Sequence, residues 1–237
     1  YFIILDSDVI LPKEYLFEVN KGLEFYYTDF FGGPDAAHHS FSDLQKAINY
    51  AMTSFLTTGG IRGNKKAVGK FQPRSFNLGI SKKAFELTKG FSGMKTGEDI
   101  DLTFRLWKNG FDSQLISNAF VYHKRRSTLN EFFKQTYSFG YSRPMLNQKY
   151  PSTKKLTYWF PSFFIIGLFL GIVISFVGYS QFIYLYVIYL FSILLDALYQ
   201  SKSLKVALLS LIATFAQFIG YGFGFIVSFF LNKRDIY

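Results

Sequence analysis

Asp6-Ser7-Asp8 places two carboxylates one residue apart. Such a pair offers oxygen ligands to a hard divalent cation, and a cation there can stabilise the charge that builds on a departing diphosphate. The same triplet also makes an Asx turn or a helix cap, so its spacing leaves both readings open. Gly97-Glu98-Asp99-Ile100-Asp101-Leu102 sets three acids at the start of a helical pattern. The helix macrodipole favours acids there whatever else they do, and that accounts well for Glu98 and Asp101. A carboxylate at a helix start behind the glycine-containing stretch Gly90-Phe91-Ser92-Gly93 is also well placed to remove a proton from an attacking hydroxyl. His123, followed by Lys124-Arg125-Arg126, offers either a further metal ligand or simply a histidine in an exposed basic turn.

These residues need elements to hold them. Tyr1 to Leu5 is a short apolar run that predicts a buried strand ending at Asp6. Pro12 suits the first turn of a helix, with Leu16, Val19, Leu23 and Tyr26 expected on one face. Asp29 to Gly33 reads as a brief strand, closed by Gly-Gly-Pro. Ser42-Asp43-Leu44-Gln45 is a capping box opening a helix to about Leu56, with Leu44, Ile48, Met52 and Phe55 as its stripe. Thr57 to Arg74, rich in Gly, Lys and Arg, reads as a loop, and its Arg62, Lys65, Lys66 and Lys70 suit either anionic lipid or plain solvent. A strand over Phe76–Ile80, a helix capped by Ser81 and ended by Gly90, and an amphipathic helix over Glu98–Asn109 follow. The last of these carries Ile100, Phe104 and Trp107 on one face. Two short strands, Ser113–Ile116 and Ala119–Tyr122, then lead to His123. Thr128-Leu129-Asn130-Glu131 is a second capping box, opening an aromatic-rich helix toward Gly140. Strands alternating with helices predict an α/β domain over residues 1–150. Within it, the helix near 128–147 suits either the headgroup layer or ordinary core packing.

From Leu156 the character changes. Leu156–Gly178, Gln181–Gln200 and Leu204–Leu231 are three apolar stretches, each reaching the ~20 residues that cross a bilayer core. Helices apolar on all sides are seldom soluble, so residues 151–237 read as a membrane region with about three spans. Asp196 is the only acid inside them, and is expected either at the interface or facing another helix. Gly220, Gly222 and Gly224 suggest close helix packing or a bend. Lys154 and Lys155 before the first span, and Lys202 and Lys205 between the second and third, put the α/β domain on the cytoplasmic side. Lys233 and Arg234 after the third span fall on the other side, so either the rule is only partly obeyed or one stretch is interfacial.

The net charge is +10, compatible with an anionic membrane surface or a phosphate-bearing ligand. Neither zinc-finger spacing nor an RNA-recognition signature is present, so nucleic acid is not an expected partner. There are no cysteines, which removes disulfide and thiolate chemistry and fits a cytoplasmic catalytic face. The chain opens on Tyr1 inside an apolar run, without Met, and reads as the middle of a longer protein.

The order of these features carries a resemblance. Asp6 and Asp8 come first, then Arg74-Ser75-Phe76-Asn77-Leu78 leading to Lys82-Lys83-Ala84-Phe85, then Gly90-Phe91. The stretch from Gly97-Glu98-Asp99 to Phe104-Arg105 follows, and Val121-Tyr122-His123 closes the series. Over residues 1–143 the chain resembles the family 2 glycosyltransferases of GT-A fold, a Rossmann-like nucleotide-diphospho-sugar transferase domain. The resemblance implies that Asp6 and Asp8 meet a Mn²⁺ or Mg²⁺ ion and the diphosphate of a nucleotide-sugar donor, with His123 completing the metal site. It implies Asp99 as the general base of an inverting transfer, with Glu98 supporting it or touching the acceptor. Gly93, Asn77 and Arg74 would lie beside donor or acceptor, and Gln135 and Arg143 would approach the diphosphate. The Gln-x-x-Arg-Trp signature of processive members is missing, with Gln135-Thr136-Tyr137-Ser138-Phe139 in its place. Single-sugar transfer is therefore expected, to a lipid-linked or envelope glycan acceptor at the cell (inner) membrane. The nucleotide-base half of such a fold would lie upstream of Tyr1. The rival expectation is a catalytically silent membrane scaffold or glycan-export subunit that keeps the fold.

Overall fold

The computed structural model describes residues 1–59 and 70–231; Arg62, Lys65, Lys66, Lys233 and Arg234 lie outside them. The chain divides into two units. The first holds residues 1–45 and 52–125, and the second holds residues 46–51 and 126–237.

The first unit is built on a four-stranded sheet. Strand β1 (Phe2–Leu5) and strand β3 (Phe30–Gly32) both pair antiparallel with β5 (Asn77–Ile80), and β3 pairs parallel with β6 (Ser113–Leu115). The order is β1-β5-β3-β6, so the sheet is mixed. Strand side chains alternate between faces. Ile3, Leu5 and Phe31 therefore pack with Tyr15 and Val19 of helix α1 (Tyr15–Phe25). Ile4, Phe30, Leu78 and Ile80 pack on the other face against Ala84 of α4 (Lys82–Thr88) and Leu102 and Leu106 of α5 (Glu98–Lys108). A second, three-stranded sheet carries β2 (Val9–Ile10), β7 (Val121–His123) and β4 (Asp35–Ala36) in the order β2-β7-β4.

Both capping boxes and the Ser81 cap form. Ser42 and Gln45 bond reciprocally at 3.1 and 3.2 Å, and Ser81 Oγ accepts from the Ala84 N–H at 3.1 Å. The expected face of α1 is half right: Val19 is buried, but Leu16 and Tyr26 are exposed and Tyr15 is the inward anchor. Its hydroxyl is hydrogen-bonded to Asn77, which rotates the helix from the purely apolar reading. Helix α2 (Asp43–Thr53) stops before Leu56, because Ser54 starts a new turn, α3 (Phe55–Thr58), and leaves Phe55 exposed.

The second unit contains α6 (Leu129–Lys149), α7 (Phe160–Ser175), α8 (Gln181–Ser201) and α9 (Leu204–Leu231). Helix α6 runs past Gly140 and includes Pro144. The stretches Leu156–Ser175, Gln181–Ser201 and Leu204–Leu231 are long and apolar enough to cross a membrane. The first ends at Ser175 rather than Gly178 and opens with a 3₁₀ turn, Leu156–Trp159. Helix α9 is the packing centre, and glycines let α6 lie against it backbone to backbone. A Cβ on Gly140 would lie 2.0 Å from the Tyr221 carbonyl oxygen, and one on Gly224 would lie 2.2 Å from that of Tyr137. Gly222 faces the opposite way, where its carbonyl accepts from Ser162 at 3.1 Å. Asp196 faces another helix, accepting from the Tyr50 hydroxyl of α2 at 2.6 Å and from the Gln200 amide at 3.0 Å.

One glycine in the first unit carries the sheet. A Cβ on Gly79 would stand 2.0 Å from the Phe31 ring, which occupies that space on the α1 face. Gly79→Ala should therefore destabilise the protein by about 1–3 kcal/mol through overpacking. Phe31→Leu in the same chain should recover part of that loss. Thermal melts of the single and double variants check this, and simple additivity of the two losses would contradict it.

Candidate active site

Strand β1 delivers the chain to Asp6 at the edge of the sheet, and a tight turn over Ser7 and Asp8 passes it to β2. Strand β2 then pairs antiparallel with β7, with Val9 opposite His123 and the Lys124 N–H donating to the Asp8 carbonyl at 3.0 Å. That register sets His123 beside both acids. Its Nε2 is 3.3 Å from Asp8 Oδ1 and 3.8 Å from Asp6 Oδ2, and one ligand atom from each of the three residues lies within 4.8 Å of the others. A cation held at ~2.0–2.3 Å by carboxylate oxygen and imidazole nitrogen separates its ligands by up to about 4.6 Å. The three donors therefore fit a divalent ion after a small rotamer adjustment.

The imidazole is held from behind. Its ring lies against Phe76, centroids 4.9 Å apart. Its Nδ1 sits 3.3 Å from Arg125 Nη1 and 3.7 Å from Asp35 Oδ2, while Arg125 and Asp35 form a buried ion pair at 2.5 Å. Support of this kind fixes the orientation of a ligating histidine and tunes its basicity. Gln45 donates to the Arg125 carbonyl at 2.8 Å and holds that backbone in place. Asp35 and Arg125, which stand behind the imidazole, were not among the candidates read from the sequence. Arg125 is submerged in a basic run, and Asp35 follows a Gly-Gly-Pro that reads only as a turn.

Helix α5 brings the other carboxylates. Gly97 takes the left-handed conformation, φ +83°, and launches the helix so that Glu98 and Asp99 fall in its first turn. Asp99 Oδ1 accepts from the Ile100 N–H at 2.7 Å, and its Oδ2 lies 3.8 Å from Arg74 Nη1. Arg74 is placed by the turn that enters β5, where the Asn77 N–H donates to the Arg74 carbonyl at 3.0 Å. Burial raises the Asp6 carboxyl above its ordinary range; His123 opposes this, the charges of Asp8 and Asp99 add to it, and a hydrogen bond with Ser75 lowers it again. Burial likewise raises Glu98, helped by the charges of Asp99 and Asp6 and opposed by its own backbone hydrogen bond and by Arg74. Asp6, Asp8, His123, Arg74, Glu98 and Asp99 thus share one electrostatic neighbourhood within the first unit.

The remaining candidates separate. Asn77 is fully buried and its amide is engaged at both ends, accepting from Tyr15 at 2.7 Å and donating to the Ala119 carbonyl at 2.7 Å. It braces the floor of the site. Burial pushes the Tyr15 phenol up to about 12, so it remains a donor to Asn77. Asp101 points away from Asp99 into the core. There it takes Arg105 Nε at 2.9 Å, while the same guanidinium donates to the carbonyls of Thr88 and Gly90 at 2.6 Å each. Arg105 therefore anchors the stretch that leads to Gly93, and a Cβ on Gly93 would meet nothing within 4 Å. Gln135 and Arg143 belong to the second unit. Gln135 is half-buried on α6, and Arg143 is buried with its guanidinium 4.3 Å from the centre of the Tyr158 ring. Lys70, from the basic loop, is paired with Asp112 and lies over Trp107.

No curated protein matches the chain. The family model described as Glycosyl transferase family group 2 matches residues 1–219, a range that takes in the acid and histidine cluster and continues through the first two apolar helices into the third. The chain belongs to the family 2 glycosyltransferases.

Proposed function

We propose that the protein is a membrane-bound, inverting glycosyltransferase of GT-A type. In this reading it moves one sugar from a nucleotide-sugar donor to a lipid-linked or envelope glycan acceptor. The observation that carries the reading is the clustering of Asp6, Asp8 and His123 beside Asp99 and Glu98 in one unit of a family 2 chain. Asp99 acts as general base. It removes the proton of an acceptor hydroxyl as that oxygen bonds to the anomeric carbon, and the bond from that carbon to the nucleoside diphosphate breaks on the opposite face. Arg74, 3.8 Å from Asp99, orients the carboxylate, and Glu98 adjoins the acceptor. Asp6, Asp8 and His123 would hold a Mn²⁺ or Mg²⁺ ion, which when bound would stabilise charge on the leaving diphosphate. Asp35 and Arg125 keep the imidazole aimed at the two acids. The three apolar helices tether the protein to the cell membrane, with the catalytic unit on the cytoplasmic side, which suits an acceptor carried by a lipid.

Asp99→Asn in the full-length protein should lower turnover by about 10²–10⁴-fold, the usual range for a lost general base. Donor affinity, read by calorimetry with Mn²⁺ present, should stay within about threefold because the charge removed is not a metal ligand. Unchanged turnover would discard the general-base role of Asp99, whereas absence of any turnover in the unsubstituted protein would favour a silent scaffold.

The raised Asp6 carboxyl also sets a pH dependence. The fold holds this proton to higher pH than the unfolded chain does. The group's contribution therefore favours the fold at and below the ordinary carboxylate range, and is lost as pH climbs through the raised value. A divalent ion replaces the proton and offsets that loss. The gain in Tm on adding Mn²⁺ should therefore be larger at about pH 7.5 than at about pH 5. It should vanish in Asp8→Ala together with Mn²⁺-dependent donor binding, and a gain that survives this substitution would place the ion elsewhere.

A further inference from the structure

We propose that Arg143, Asn147 and Tyr158, all in the second unit, form a binding site for the phosphate of a membrane lipid headgroup. Arg143 is only 6% exposed. Among the described residues its Nη1 has no hydrogen-bond partner, no carboxylate lies within ion-pair distance of it, and its one neighbour of note is the Tyr158 ring at 4.3 Å. A guanidinium cannot shed its proton, and burying a cation without an anion is unfavourable because its lost hydration is not replaced. The contact with an aromatic face offsets only part of that cost, because a ring quadrupole carries no net charge. The site is therefore built for an anion, and arginine matches phosphate oxygens with two parallel donors.

Asn147 stands one helical turn further along α6, on the same face, and its Oδ1 is also buried without a partner among the described residues. The two groups ask for opposite things. The guanidinium needs acceptor oxygens, and the amide oxygen needs a donor. A phosphodiester whose headgroup carries a hydroxyl or an amine supplies both.

The position says where such a molecule comes from. Tyr158 lies in the 3₁₀ turn Leu156–Trp159 that opens the first apolar span, and exposed Lys154 and Lys155 immediately precede it. Trp159 packs against Phe163, Phe225 and Phe229 of α7 and α9. A basic pair, an aromatic pair and then continuous apolar sequence mark the headgroup level of a bilayer. Anionic headgroups concentrate there and attract basic side chains. The assignment does not depend on the transferase reading, since it needs neither donor nor turnover.

The test uses full-length protein in maltoside micelles, which carry no phosphate, with no nucleotide sugar present. Phosphatidylglycerol is titrated in while Tm and the lipid-bound fraction by native mass spectrometry are followed; inorganic phosphate is titrated in a parallel arm. Wild type should gain stability with phosphatidylglycerol, and the gain should persist at about 0.5 M NaCl because a buried pair is weakly screened. Inorganic phosphate should give a smaller gain, since it lacks the acyl chains that hold a lipid at the headgroup level. Arg143→Met should weaken lipid binding by about tenfold or more, as expected for a lost charge-assisted contact. Asn147→Leu, which keeps the cation, should weaken it by about threefold or more and serves as the readout if Arg143→Met does not fold. Lys154→Gln with Lys155→Gln should alter only the salt-sensitive part. Equal gains in wild type and both site variants would overturn the proposal, as would a gain from inorganic phosphate matching that from the lipid.

Discussion

The pairing of β2 with β7 decides whether this chain has a site at all. Two residues of β2 suffice, because Val9 opposite His123 fixes the turn that carries Asp6 and Asp8. Side chains on a strand alternate with period two, so a slip of one residue would turn the imidazole to the other face and dissolve the cluster. The register is defended from several directions: the Lys124–Asp8 backbone bond, the Phe76 ring against the imidazole, and the buried Asp35–Arg125 pair behind Nδ1. Such a short strand pair is weak in isolation. It is stable here because β4 joins β7 on its other edge and the Arg125 backbone is tied to Gln45 at the start of α2.

Much of this was legible in the chain. The elements with chemical punctuation were the clearest: both capping boxes, the Ser81 cap and the acid-rich start of α5 all form where local hydrogen bonding requires them. The grouping of Asp6, Asp8 and His123 was legible because each sits at or beside the end of a strand. The mixed character of the sheet was not legible, since strand direction depends on pairings between residues far apart in the chain. The bracing of Asn77 was not legible either: its partners Tyr15 and Ala119 are 62 and 42 positions away and cannot be read from its surroundings. Asp35 and Arg125 escaped for the same reason, being 90 positions apart. Leu16 misled because periodicity counts apolar positions, whereas a tyrosine with a partnered hydroxyl rotated α1 by its own bond.

The second unit follows a different logic. Its helices have little amphipathic pattern to orient them, so packing is set by where side chains are absent. Gly140, Gly220 and Gly224 bring α6 against α9 at backbone contact, and Gly222 admits α7 on the other side. Polar groups within it are used sparingly and mostly in pairs, as with Tyr50 and Asp196. Arg143 stands out against that economy. A fold that satisfies its acid inside an apolar helix yet buries a guanidinium against a single aromatic ring reserves that guanidinium for something outside the chain.

The account turns on the His123 imidazole sharing one cation with Asp6 and Asp8. Pulsed electron paramagnetic resonance on Mn²⁺-loaded protein reads this directly, because a coordinated imidazole nitrogen modulates the spin echo. The account requires nitrogen modulation in the wild-type protein and its loss in His123→Gln. A bound Mn²⁺ with only oxygen neighbours, or a nitrogen signal unaltered by that substitution, would contradict it.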